Sequence, residues 1–138
     1  MMDTQKTLLL TGASRGIGHA TVSFFSEKNW EIITCSREAP PEECLRDLNW
    51  SHHITTDLAD TNSVDAFIKE ANAFLGDRPL HGLVNNAGWS PKSPIQERLG
   101  CLNGNLDAWR TVFELNFFAP LRLARGFASS LTKGKGSI

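Results

Sequence analysis

Tyrosine is absent from all 138 residues, so no phenol is present to act as an acid, a base or a nucleophile. Cysteine is scarce. Cys35, Cys44 and Cys101 share no metal-ligand spacing and, being three, cannot all pair. The expectation is a reduced, cytoplasmic chain with no metal site. Long apolar runs are missing: none approaches the ~20 residues that span a bilayer. Met1 to Lys6 also lacks the apolar core of a signal peptide, so no membrane association is expected. An excess of either charge is missing too. Fourteen Lys+Arg face 15 Asp+Glu, for a net charge of -1, which gives no support to a nucleic-acid or anionic-membrane partner. There is no internal repeat, no low-complexity segment and no linker between domains.

What is there is globular: 41% hydrophobic and 21% charged residues suit one domain over 1–138 with a real core. Short apolar runs alternate with amphipathic stretches. Lys6–Thr11, with Leu8-Leu9-Leu10, reads as a first strand, and Ile17 to Lys28 as a helix on the spacing of Ile17, Ala20, Phe24 and Phe25. Trp30–Cys35 is a second strand, Glu42–Leu48 a weaker helix and Trp50–Thr56 a third strand. Thr61–Leu75 carries one apolar stripe of Val64, Phe67, Ile68, Ala71, Phe74 and Leu75, with Asp60 or Thr61 to cap it and Gly76 to end it. Leu80–Asn85 is a fourth strand. A polar, Gly/Pro-rich segment, Gly88 to Gly104, leads into a long helical pattern from Asn105 to Leu131. Gly134 to Ile138 looks like the opening of a fifth strand. This alternation predicts an α/β fold, a doubly wound parallel sheet that stops at the start of that strand. Ligands of such sheets bind at the carboxyl ends of the strands.

The densest motif is Thr11-Gly12-Ala13-Ser14-Arg15-Gly16-Ile17-Gly18, between the first strand and the first helix. Glycines there let the backbone turn and approach a pyrophosphate, while the free N–H groups of the helix start face the anion. A glycine-rich turn without a ligand is the bland alternative. Neither Gly-x-Gly-x-x-Gly nor a P-loop is present. Asp57-Leu58 after the third strand and Asn85-Asn86-Ala87-Gly88 after the fourth complete the set. Singly, Asp57 reads as a loop carboxylate or helix cap, and Asn85-Asn86 as a turn.

These three motifs, in this order over the whole chain, resemble the short-chain dehydrogenase/reductase family. The resemblance implies a Rossmann fold, NAD(H) or NADP(H) as cofactor, and reversible hydride transfer at a carbonyl or alcohol of a small-molecule substrate. It implies that Gly12, Ser14, Arg15, Gly16, Ile17 and Gly18 line the pyrophosphate and ribose. It places Asp57 at the adenine amino group with Leu58 beside the ring, and Asn86, Ala87 and Gly88 under the nicotinamide ribose. Asn85 would brace the adjacent strands. A homo-oligomer, dimer or tetramer, is expected of a full-length member.

The family's Ser and Tyr-x-x-x-Lys are not in this chain. It reads as the amino-terminal part of a longer enzyme, inactive alone, with a noncatalytic nucleotide-binding relative (a pseudoenzyme or regulator) as the alternative. A methyltransferase on a similar sheet would leave Arg37, the Asn-Asn-Ala-Gly turn and Asn116 together unexplained. Asn116, in Glu114-Leu115-Asn116-Phe117, matches the family's catalytic asparagine, whose carbonyl holds a water in a proton relay. Pro120, four residues on, has no N–H for that carbonyl. A polar kink residue is the structural alternative.

Cofactor choice falls at the end of the second strand. An NAD site usually offers a carboxylate to the ribose hydroxyls there. This strand ends Thr34-Cys35-Ser36-Arg37. Arg37 can pair with a 2′-phosphate, Ser36 can donate to it, and Arg15 can reach it from the glycine loop, so NADP is expected over NAD. The alternative is two solvated surface arginines. His19, His52, His53 and His81 are expected to be surface or packing residues, with the adjacent His52 and His53 on opposite faces of a strand. Trp30, Trp50 and Trp109 read as packing residues. Trp89 is either a wall of the substrate pocket or loop packing.

Overall fold

The computed structural model describes residues 5–138; the polar start at Met1–Thr4 lies outside the described residues. Four strands, β1 (Thr7–Thr11), β2 (Glu31–Ser36), β3 (Trp50–Thr55) and β4 (Gly82–Val84), form one sheet in the order β3-β2-β1-β4. Every pairing is parallel. β1 lies centrally, and all five of its residues are buried. A strand buried on both faces reads as a continuous apolar run rather than an alternation, which is why Leu8-Leu9-Leu10 signals it so clearly.

Helices cover both faces, as a doubly wound sheet requires. On one side α1 (Gly16–Glu27) and α2 (Glu42–Asp47) close over Leu8, Leu10, Val22, Ile32 and Trp50. On the other, α3 (Thr61–Leu75) packs through Val64, Phe67, Ala71 and Leu75 onto Leu9, Ile33 and Ile54. The stripe and the ends of α3 match the sequence expectation. The Asp60 side chain accepts from the N–H groups of Asn62 and Ser63, and Gly76 leaves the helix at φ 57°, a conformation glycine adopts without a Cβ penalty. Cys35, on β2, is sealed in the core, where burial pushes its thiol up to about 12, so it stays protonated and inert.

The long pattern from Asn105 to Leu131 is not one α-helix. It divides into α4 (Leu106–Phe113), a π-helical turn (Glu114–Phe118), α5 (Ala119–Gly126) and α6 (Ala128–Gly134). Pro120 explains the first irregularity. Its ring lacks an N–H and crowds the preceding turn, and the backbone widens so that the Ala119 N–H reaches Glu114 O, five residues back. At the second, the Asn72 amide of α3 donates to Gly126 O at 3.1 Å. A Cβ on Gly126 would lie 2.7 Å from the Ile68 side chain. α5 is thus clamped against α3 where it ends. The outer face of this region leaves Phe113, Phe117, Phe118 and Leu121 about half exposed. Beyond α6, Ser137 bridges Gly82 in parallel, and the Leu83 N–H donates to Ser137 O at 2.9 Å. That is the expected opening of a fifth strand beside β4.

Candidate functional site

The carboxyl ends of β1, β2, β3 and β4 surround a cleft of ≈ 490 Å³. Its floor is the turn from β1 into α1. Gly12 takes φ 70° and Gly16 φ 59°, both in the left-handed region. A Cβ on Gly12 would lie 2.9 Å from Ala87 Cα, so only glycine admits the loop after β4. Gly18 sits against Gly12 and the Asn86 amide, and its part is to bring α1 close to the strand rather than to face the cleft. α1 begins with Arg15 in the N-cap position. No side chain caps it and its first turn carries no acidic residue. Its orphan N–H groups are therefore free for an anion.

The wall after β4 is fixed by two side chains. The Asn86 amide donates to Thr11 O and Gly12 O, each at 3.1 Å, and the Thr11 hydroxyl accepts from the Ala87 N–H at 3.0 Å. The bracing amide thus belongs to Asn86 and not, as expected, to Asn85, whose Oδ1 is buried without a partner among the described residues. The reason is register. Val84 is the last residue of β4 to pair with β1, opposite Leu10, and it is the side chain two residues on that turns toward the β1–α1 bend.

Of the expected site residues, Gly12, Ser14, Arg15, Gly16, Ile17, Ser36, Arg37, Leu58, Asn86, Ala87 and Gly88 line the cleft. Gly18 and Asn85 are not among its lining residues. Asp57 is exposed, and its carboxylate accepts from the Ala59 N–H at 2.9 Å while its own N–H donates to Ser63 Oγ. It shapes the turn that presents Leu58. Asn116 spends its side-chain amide on the chain after β4: Oδ1 accepts from the Trp89 N–H at 2.9 Å and Nδ2 donates to Trp89 O at 2.8 Å. These two bonds tie the π-helical turn to Trp89, which stands on the cleft wall.

Arg15 and Arg37 are both exposed on the cleft. Neither forms an ion pair among the described residues, so both guanidinium groups are available to an anion. Glu38 follows on the same rim, its backbone O accepting from the Ser36 hydroxyl at 2.6 Å. Sequence reasoning missed the lining by Glu38, Thr56 and Leu115, and it missed Thr11 and Thr34 as bonding groups. It also set His53 aside. His52 and His53 do point to opposite faces: His52 pairs with Glu70 of α3 and stacks on Phe74, whereas His53 contacts Thr34 and Ser36. The available signal was Thr34-x-Ser36, two hydroxyls on one face of a buried strand. Burial holds His53 below the ordinary imidazole value of 6.5, partly offset by Glu38 and reinforced by His52.

The family model described as short chain dehydrogenase matches residues 6–138. Protein FixR of Bradyrhizobium diazoefficiens is 46% identical over 134 residues, 96% of this chain and 48% of that protein. A fatty acyl-CoA reductase of Mycobacterium tuberculosis is 33% identical over 144 residues, 98% of this chain and 46% of that protein. A short-chain dehydrogenase/reductase of Brucella ovis, solved with a partially ordered NAD, superposes with a TM-score of 0.85 at 44% identity, over 96% of this chain and 60% of its own. The chain spans about half the length of the curated relatives it matches.

Proposed function

Because the chain belongs to the short-chain dehydrogenase family, we propose that residues 1–138 form the NADP(H)-binding portion of an oxidoreductase acting on a small carbonyl or alcohol substrate. The observation that carries this reading is the cleft itself. An uncapped helix start meets two arginines, without an ion pair among the described residues, where a dinucleotide phosphate and a ribose 2′-phosphate would lie. The residues fit the group, since Gly12 and Gly18 leave no room for a side chain between the loops and the anion donors are unspent. When bound, the nicotinamide supplies the hydride. The α1 N–H groups would hold the pyrophosphate, Asp57 and Leu58 would lie at the adenine, and Asn86, Ala87 and Gly88 would lie under the nicotinamide ribose. Asn116 and Trp89 position the wall on which the substrate would sit.

NADP(H) is preferred because β2 ends in Ser36-Arg37 and not in a carboxylate. The test is titration of NADPH and NADH into the chain and its Arg37→Ala variant. A guanidinium–phosphate pair near the surface is worth roughly 1–3 kcal/mol. Arg37→Ala should therefore weaken NADPH about fivefold to 150-fold and leave NADH nearly unchanged. Equal losses for the two cofactors would overturn the assignment.

A further inference from the structure

Behind Ser36 lies a line of polar groups that the cofactor site does not itself require. Trp50 Nε1 donates to Thr34 Oγ1. Thr34 Oγ1 is 2.8 Å from His53 Nδ1, and His53 Nε2 is 3.4 Å from Ser36 Oγ. The Ser36 hydroxyl then donates to Glu38 O at 2.6 Å. Trp50, Thr34 and Ser36 are all buried, so unsatisfied orientations are costly here. A β-bulge makes the alignment possible. Ile32 pairs with Trp50 but Ile33 with His52, leaving Ser51 as the extra residue. Trp50 and His53, three apart, would otherwise point to opposite faces. Here their rings meet edge to face at 6.0 Å.

The two ends of the line dictate its direction. An indole N–H only donates and a carbonyl only accepts. Thr34 receives from Trp50, and it gives its own proton to His53 Nδ1 once the neutral ring carries its one hydrogen on Nε2. Ser36 has spent its proton on Glu38 O, so His53 Nε2 must carry hydrogen and give it to Ser36. Every proton points toward the cleft, each donor polarising the next. The last of them, on Ser36, is the one that an anionic oxygen at this rim would take over from Glu38 O. No proton changes owner; only the Ser36 O–H turns.

Resting on the NADP(H) reading above, the geometry points to His53 as a positioning residue for cofactor selectivity: with Thr34 and Trp50 it forms a directed donor line that makes Ser36 a stronger donor to a 2′-phosphate. His53 is not among the residues lining the cleft and reaches its rim through Ser36 and the Glu38 backbone.

Two measurements decide it. The first needs no cofactor: nitrogen-15 NMR of the imidazole rings at pH 7.5 should show His53 neutral with hydrogen on Nε2. Hydrogen on Nδ1 would reverse the line and overturn the proposal. The second is NADPH and NADH affinity in the full 138-residue chain carrying Ser36→Ala, His53→Leu, His53→Gln, and Ser36→Ala with His53→Leu. His53→Leu should weaken NADPH about three- to tenfold and leave NADH nearly unchanged. Gln, which offers an acceptor and a donor at similar separation, should restore most of the loss. Once Ser36 is Ala, His53→Leu should add nothing, since coupled residues fail to add. Equal losses for both cofactors, or the full His53→Leu effect persisting without Ser36, would make His53 merely structural. Thr34→Val, which keeps the shape and removes the hydroxyl, serves if the Leu variant does not fold. Wild-type chain that binds NADH as well as NADPH would defeat the NADP(H) reading, and this selectivity role with it; the Nε2 hydrogen would then report only the line's direction.

Discussion

Gly18→Ala is the smallest change that should dismantle the site from behind. A Cβ there would fall well inside van der Waals contact with the Gly12 carbonyl oxygen, 2.8 Å from that carbonyl's carbon and 2.7 Å from Asn86 Nδ2. Ordinary contacts begin near 3.4 Å, and the Gly12 atoms are backbone that cannot swing aside. Either α1 backs away from β1 or the Asn86 amide rotates and gives up its two 3.1 Å bonds. Overpacking of this kind costs about 1–3 kcal/mol, and stranding this partly buried amide costs about 1–2 kcal/mol more. The expected loss is about 2–5 kcal/mol, a large share of the roughly 5–15 kcal/mol that holds a domain together. Urea unfolding followed by far-UV circular dichroism reads the stability, and NADPH titration reads the site. Gly16→Ala is the control, because nothing lies within 4 Å of its Cβ position although φ is +59°. Its cost should be only the left-handed backbone strain, about 1–2 kcal/mol. A Gly18→Ala protein with wild-type stability and wild-type NADPH affinity would refute the reasoning.

Acid should weaken the fold through two histidines. His81 Nδ1 accepts from the Thr7 N–H at 3.0 Å, which only a ring unprotonated at that nitrogen can do. Burial first, then Lys6, lowers its proton affinity below the ordinary 6.5; His53 shifts the same way, burial again the main cause. Below 6.5 the unfolded chain binds the proton more readily than the folded one, so these contributions are complete above 6.5 and fade as pH falls through the lower folded values. Urea midpoints should therefore drop between pH 7.5 and 5.5, and His81→Gln should drop less than wild type; a midpoint that rises on acidification would contradict the assignment. The 138-residue chain should consume no NADPH above the uncatalysed rate against a panel of ketones and aldehydes, because proton delivery to the developing oxyanion needs a placed acid and the chain has no tyrosine. Turnover by this chain alone would overthrow the expected chemistry.

The features legible in the sequence are those set within a few residues of themselves. The buried run Leu8-Leu9-Leu10, the stripe and cap of α3, and the glycine spacing from Gly12 to Gly18 each follow from backbone periodicity or from a turn that only glycine adopts. They place the cleft at the carboxyl ends of the strands. Pro120 announces a defect in the long helix for the same local reason, the missing N–H. Which form the defect takes is not local. The second break, at Phe127, depends on Asn72 and Ile68 of α3, more than fifty residues away.

Tertiary structure alone decided which of two adjacent residues does the work. Asn86 rather than Asn85 braces the glycine loop, because strand pairing ends at Val84 and sets which side chain turns toward Thr11. His53 rather than His52 stands behind Ser36, because a bulge at Ser51 shifts the register of β3 against β2. Asp57, expected at the adenine, also bonds its own turn, accepting from the Ala59 N–H. Side chains alternate sides along a strand, so a one-residue slip changes every partner. Register is fixed by contacts between segments far apart in the chain, and no local pattern carries that information.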